Sequence, residues 1–536
     1  MTAFRTWIVM LAFVSHLPVA AWPTLAELEA RGAHIGQIDI QRHNVFESPD
    51  KGNGKALHHL ANRLHIVTRE NVIRSQILFA PGDALNLTTI RETERILRNN
   101  RYLFDARVSV KQVANGVVDL LVTTRDIWTL TPEIDFSKTG GDTFYTLGIE
   151  DDNLLGTGAS LTLSRAEELE RTSNLLLYSN NNFLLNRLRF NLGIVNSDDG
   201  GAFSLGLSQP FFSLDSRRAQ GGSLNYFEGS RLWYRNGDDI AEFQQLSNQF
   251  NLFKGWSRGR ENGWVRRLTA GVTGDRTRFA LSDDPQLAIA RPADREFYYP
   301  YVSLNVLEDN FVTTQNFQSI ERTEDVYLGT QYSLLFGYAP QLLGSDRDAV
   351  FLGANASRSI GSPDTVLWQI GTNLNTRIES GRPQNLRANG FVSFSVRQSD
   401  KWRFFSRFSA THSERPDLED FTVLGGSSGL RGYPTRFRNG RGRAVLTVEQ
   451  RYYSTFYPLR IFRVGGAIFA DVGQVWGENI LGETNDDLLV NAGVGLRLAS
   501  QRGGSNKVIH IDLAFPLTSK EGIDSMQLVI EAKQGF

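Results

Sequence analysis

A chain of 536 residues has room for roughly three or four average domains, or for fewer if one is a β-barrel. Its 57 basic and 58 acidic residues nearly cancel, so no charge excess points to nucleic acid as a partner. The absence of cysteine excludes disulfides, thiolate catalysis and cysteine metal sites.

Residues 1–21 read as a secretory signal: Arg5 supplies the positive start, Trp7–Val14 a short apolar core, and Val19-Ala20-Ala21 the small residues before a cleavage site. Residues 22–32 read as a linker. No later apolar run approaches the ~18 residues of a spanning helix. If the chain crosses a membrane, it does so as a closed barrel.

Residues 33–126 read as a compact α+β unit. Ile35–Ile40 is an expected strand, and Leu57, Leu60 and Leu64 recur at helical spacing. Pro81-Gly82-Asp83 is a turn. Thr89 with Glu92 fits a capping box that opens a second helix, closed at Asn99-Asn100. Two strands then alternate across Asn115-Gly116, a strong hairpin signal. Five of the eight histidines fall in this third, but adjacent His58-His59 face different sides of a helix, so they are expected to be solvated or packed and not metal ligands.

From residue 127 to the end the texture becomes segments of about ten residues with period two, parted by Gly, Asn, Asp and Ser, the pattern of membrane strands with one apolar and one polar face. Ile468, Ala470 and Val472 alternate with Phe469, Asp471 and Gly473; Ile509, Ile511 and Leu513 alternate with His510 and Asp512. Open sheets of this size leave hazardous edges, which closure removes. The expected fold is therefore mainly β, a transmembrane antiparallel barrel behind a small α+β domain. Tyr298, Tyr299, Tyr301 and the cluster 452–457 are candidates for aromatic girdles.

One stretch interrupts this texture. Gly425-Gly426-Ser427-Ser428-Gly429-Leu430-Arg431-Gly432-Tyr433, within 423–442, has the glycines to fold into a compact finger. One arginine sits between a leucine and a glycine at its tip. The alternation puts Glu449 and Asp471 on polar faces of the next two strands, so an inward finger would bring Arg431 to Asp471 with Glu449 close by. Gly-Gly-Ser-Ser-x-Leu-Arg-Gly-Tyr resembles the inward-folded loop of the bacterial surface-antigen family of outer-membrane assembly factors (BamA/TamA-like). Asp152–Gly158, Val448–Arg451, Phe469–Trp476 and Asn491–Arg497 resemble further family segments, in the right order. Residues 235–400 match nothing beyond strand texture.

The resemblance implies a barrel of sixteen strands, although about twenty candidates can be counted. It implies that 33–126 is a single POTRA-like periplasmic domain. Gly425, Gly426, Ser427, Leu430, Arg431, Gly432 and Tyr433 would form the functional loop, with Glu449, Phe469, Asp471 and Gly473 as its lumen partners. Phe536, at the end of an apolar-alternating strand, resembles the signal by which outer-membrane proteins are themselves inserted. The expected function is insertion of barrel proteins into the bacterial outer membrane, or translocation of polypeptides across it. The partners would be membrane lipid, unfolded client proteins and periplasmic chaperones or accessory envelope subunits, with no cofactor, metal or nucleic acid. A two-partner secretion pore for one dedicated protein, or a passive porin, are the alternatives. Gly425–Gly429 also fits the hydrolase pattern G-x-S-x-G, but that elbow needs a helix after the serine and none is expected here, so no catalytic residues are assigned.

Overall fold

The computed structural model describes residues 23–45, 62–63 and 65–534, apart from 140–141, 169, 289, 316, 318–322, 427, 457–461, 480, 485, 501–506 and 519–522. The signal segment 1–21, the leucines 57, 60 and 64, His58-His59, Ser427 and Phe536 lie outside the described residues.

The N-terminal unit begins earlier than expected. Thr24 caps helix α1 (Leu25–Ala30): its Oγ1 accepts from Glu27 N (3.3 Å) while Glu27 Oε2 accepts from Thr24 N (2.8 Å). Leu28 is buried in the unit's core, so 22–32 is not a free linker but includes a packed element. Strand β1 (His34–His43), short helix α2 (Glu70–Arg74), helix α3 (Leu87–Arg98) and strands β2 (Leu103–Ala114) and β3 (Val117–Asp126) follow. The cap of α3 is Asn86, whose Oδ1 accepts from Thr89 N at 2.9 Å. Thr89 thus lies inside the helix, because the Asn86 side chain reaches the orphan amide one turn earlier. Asn115 (φ 51°) and Gly116 (φ 77°) both take positive φ, as a two-residue hairpin between β2 and β3 demands. The sheet order is β1-β3-β2, with β1 parallel to β3. Ile73, Ile90 and Leu97 of the helices close its core against Val118, Leu120 and Val122.

From Leu130 to Gln534 each wall strand pairs antiparallel with the next, and the last, Gln527–Gln534, neighbours the first, Leu130–Thr139. Among the described residues the wall holds twenty strands, not the sixteen implied by resemblance. Nine of them lie between Arg218 and Glu414, a span that includes the stretch of strand texture alone; within it Phe311–Thr314 and Glu324–Tyr327 pair only with each other, as a hairpin outside the wall. Alternation decides the faces. In Phe462–Trp476, Ile468 is 63% exposed while its neighbour Phe469 is 3% exposed and Asp471 fully buried. Leu252, Leu304, Leu334, Ile370 and Val494 continue an exposed apolar face that water would not tolerate and hydrocarbon would. Of the expected girdle tyrosines, Tyr299 and Tyr301 turn inward instead. Tyr299 stacks on Phe351 (4.1 Å) and Tyr301 bonds Asn251 (3.1 Å), because their parity matches the polar face. No helix among the described residues is long and apolar enough to cross a membrane.

Candidate functional site

A wall of twenty strands encloses more space than its own side chains can fill. The segment 415–441 occupies part of it. Thr422–Leu424 pairs with Arg438–Gly440 as a short hairpin base. Beyond it, Gly425 sits at φ 125°, where a Cβ would lie 2.2 Å from the Pro434 carbonyl oxygen; only glycine allows this fold-back. Arg443, on the next wall strand, ties the finger's neck down by donating to the Val423 and Ser428 carbonyls at 2.7 and 3.0 Å. Leu424, Leu430, Tyr433 and Phe437 bury against Val445, Val475 and Leu489 of the wall. The finger is folded inward.

At its tip Leu430 packs on Gly473, where an added Cβ would come within 3.1 Å of it. A Cβ at Gly432 would lie 2.7 Å from that of Asn491. Tyr433 Oη donates to the Val490 carbonyl (2.7 Å) and accepts from its amide (3.0 Å). These contacts hold Arg431 against three wall strands, Gly442–Tyr453, Phe462–Trp476 and Lys507–Pro516. Its Nε and Nη2 donate to the two Asp471 oxygens at 2.9 and 2.8 Å, a fork that only guanidinium offers. Nη1 reaches Glu449 at 3.0 Å and Asp512 at 3.1 Å, and the group lies 3.4 Å above the Phe469 ring centroid.

Three buried carboxylates around one cation would be unstable alone. Arg451 donates to Glu449 at 2.8 Å, Arg497 pairs with Asp512, and Asn491 donates to Asp471 at 2.9 Å. Three guanidiniums thus balance three carboxylates. Glu449, Phe469, Asp471 and Gly473 all meet the finger where the alternation puts them. Asp512, Asn491 and Arg497 were not assigned to it from sequence, although Asp512 carried the same sign as Asp471, an acid on the polar face of an apolar strand. The finger's other side crosses to the strand Arg218–Arg235. Arg436 pairs with Glu170 and lies 4.5 Å over the Tyr234 ring; Arg438 bonds Asn236, and Asn439 the Tyr234 carbonyl. That side of the latch had no sequence signal, because it depends on which strands face each other around the barrel. After Leu430 the chain runs through turns to Arg438 with no helix, so the hydrolase elbow is not built.

The N-terminal unit lies against one end of the barrel and the short hairpin of Phe311–Thr314 and Glu324–Tyr327. On α3, Arg98 makes a two-pronged bond to Asp325 (2.8 and 2.7 Å), Glu92 pairs with Arg260 (3.0 Å), and Arg95 lies over Phe311. Burial pushes the Glu92 carboxyl up, opposed by the Leu214 amide and Arg260. Arg101 bridges to Glu150 (3.1 Å) and Asp152 (3.4 Å), and Asn153 donates to Thr68 Oγ1 at 2.8 Å. Burial, then the charge of Glu150, pushes Asp152 up to about 6. The acidic run 150–152 therefore joins the two units. His65 is buried against Asp126 at 3.0 Å, a packed histidine. By spacing alone Asp417, Glu419 and Asp420 could hold a cation, but Arg377 forks onto Asp417 (3.1 Å twice) and Arg295 pairs with Glu419.

No protein-family model matches the chain, and no curated protein matches it. Among solved structures, CdiB from Escherichia coli matches over 93% of this chain and 76% of its own, with a TM-score of 0.50 at 13% identity. The chain shares the fold of that barrel protein. CdiB from Acinetobacter baumannii (TM-score 0.46, 13% identity, 94% of this chain and 74% of the other) is a looser likeness. So is BamA from Haemophilus ducreyi lacking POTRA domains 1–3 (TM-score 0.39, 16% identity, 92% and 84%).

Proposed function

We propose that the chain is a member of the surface-antigen family and acts in the bacterial outer membrane, inserting barrel proteins or moving polypeptides across. The observation that carries this is the inward finger, whose Arg431 is held by Asp471, Glu449 and Asp512. A passive porin needs a constriction but not a cation locked to three of the last five wall strands. The N-terminal unit is a POTRA-like domain in the periplasm, one end of the barrel resting on it. Its sheet has β1 and β2 as edges, and an edge can pair with an extended client through backbone hydrogen bonds without demanding one sequence. No bond is made or broken in this work, so no cofactor is required. Chaperones or accessory envelope subunits would deliver the client.

Depletion in the native host, with quantitative proteomics of the envelope and secreted fractions, tests this. Loss of specific outer-membrane or secreted proteins, restored by the wild-type chain, is expected. Loss of a single secreted protein would select the dedicated secretion pore; an unchanged protein complement, with large steady conductance of the purified barrel, would select the porin.

A further inference from the structure

Five consecutive wall strands, Thr330–Ala339, Ala349–Gly361, Val366–Glu379, Arg382–Arg397 and Trp402–Glu414, contain only two acidic residues. Both, Glu379 and Glu414, are the last residues of their strands, at the end where the finger begins. Within these strands Arg377 is balanced by Asp417 of the finger segment, but two further inward arginines, Arg387 and Arg407, are not. The inner face of these strands is fixed by register. Thr411 lies opposite Arg443, which holds the finger's neck inside the barrel. The same row continues through Asn389, Asn373, Asn355 and Ser333. Side chains along it are bonded strand to strand. Thr411 Oγ1 donates to Asn389 Oδ1 (2.9 Å), Asn389 Nδ2 to Asn373 Oδ1 (3.4 Å), Asn373 to Asn355, and Asn355 Nδ2 to Ser333 Oγ (3.0 Å).

Two arginines flank this amide row. Arg387 lies one inward-facing position to one side of Asn389, and Arg407 lies two such positions to the other side of Thr411. Among the described residues neither pairs with a carboxylate. Arg407 is exposed to the lumen and rests on the Phe391 ring at 4.0 Å, which uses the face of the guanidinium and leaves its donor edge free. The wall therefore offers neutral donors and acceptors in the middle and uncompensated cations above and below. Amides of both polarities suit any extended backbone, while guanidinium selects carboxylates.

We infer that this quarter of the wall is a binding surface for an extended, acidic polypeptide segment, with Arg387 and Arg407 as its selective contacts. The inference rests on the assembly or translocation reading and adds the chemistry of the client segment that the lumen receives.

The test is binding of fluorescent oligo-glutamate to the detergent-solubilised full chain by anisotropy. Binding that falls as salt rises, with none by oligo-lysine, is expected. The pair Arg387→Gln and Arg407→Gln should weaken it by at least about tenfold, a change of ~1.4 kcal/mol. Both positions keep a hydrogen-bonding side chain, and heat-modifiable mobility on gels reports whether the variant is folded. Should it not fold, the wild-type chain decides through the salt dependence and the oligo-lysine control. Unchanged affinity in the folded double variant overturns the inference. So does inorganic polyphosphate binding as tightly as oligo-glutamate, which would mark a general anion wall. If oligo-glutamate fails to bind a chain that still restores envelope proteins after depletion, this inference alone falls and the assembly reading stands.

Discussion

Arg431 shows how one side chain can fix a loop of more than twenty residues. Its five nitrogen–hydrogen donors match carboxylates on three strands, and the surrounding arginines keep the cluster neutral. The meeting with Asp471 and Glu449 was legible because period-two alternation places both on the inner face, and a glycine-rich stretch before them can turn in. Asp512 was less legible, since nothing in sequence says which of several inner acids lies across two strand pairings. The Arg436 and Arg438 contacts were not legible at all, as they join residues some two hundred positions apart. Asp152 yields a prediction at this scale. Its folded value of about 6 exceeds its ordinary 3.8, so it binds a proton more tightly folded than unfolded. The stability it contributes is present below about pH 3.8 and is lost as pH rises through about 6. Asp152→Asn should flatten that dependence and leave the chain no less stable at pH 8, as judged by urea unfolding across pH. A steeper fall in the variant would contradict the assignment.

At the scale of elements, strands were readable because each has one apolar and one polar face; their number was not, since resemblance implied sixteen and alternation alone does not say which segments join the wall. Helix α1 was missed: six residues between a cleavage signal and a strand carry too little periodicity, and only the Thr24–Glu27 pair marks them. The inward Tyr299 and Tyr301 were misjudged because an aromatic cluster says nothing of parity. The lipid-facing parity of Phe462–Trp476 is directly testable. Ile468→Lys places a charge at its most exposed apolar position and should cost ~2–4 kcal/mol if that position lies at mid-bilayer, less nearer an interface. Reduced heat-modifiable, folded protein in the membrane is the expected readout. Normal amounts would mean that this face does not meet lipid.

For the whole molecule, the finger is a strut from the strands around Asp471 to the strand opposite, Arg218–Arg235, and the N-terminal unit rests on one rim through α3. Each attachment has an ionic, hydrogen-bonded part that a single substitution can break while the finger's apolar contacts, Leu424, Leu430, Tyr433 and Phe437, stay in place. Removing one partner of a buried pair leaves the other uncompensated, at ~3–5 kcal/mol where water is excluded and less in a wet lumen. A solvated surface pair would give only ~0–1 kcal/mol. Lysine cannot copy the fork onto Asp471, so Arg431→Lys should behave nearly as badly as Arg431→Ala. The decisive measurement is a double-mutant cycle of Arg431→Ala and Asp471→Ala, read both as barrel unfolding and as restoration of envelope proteins after depletion. A coupling of several kcal/mol, with Arg431→Lys failing to restore them, is the predicted result; coupling near zero with a fully active Arg431→Lys would contradict it.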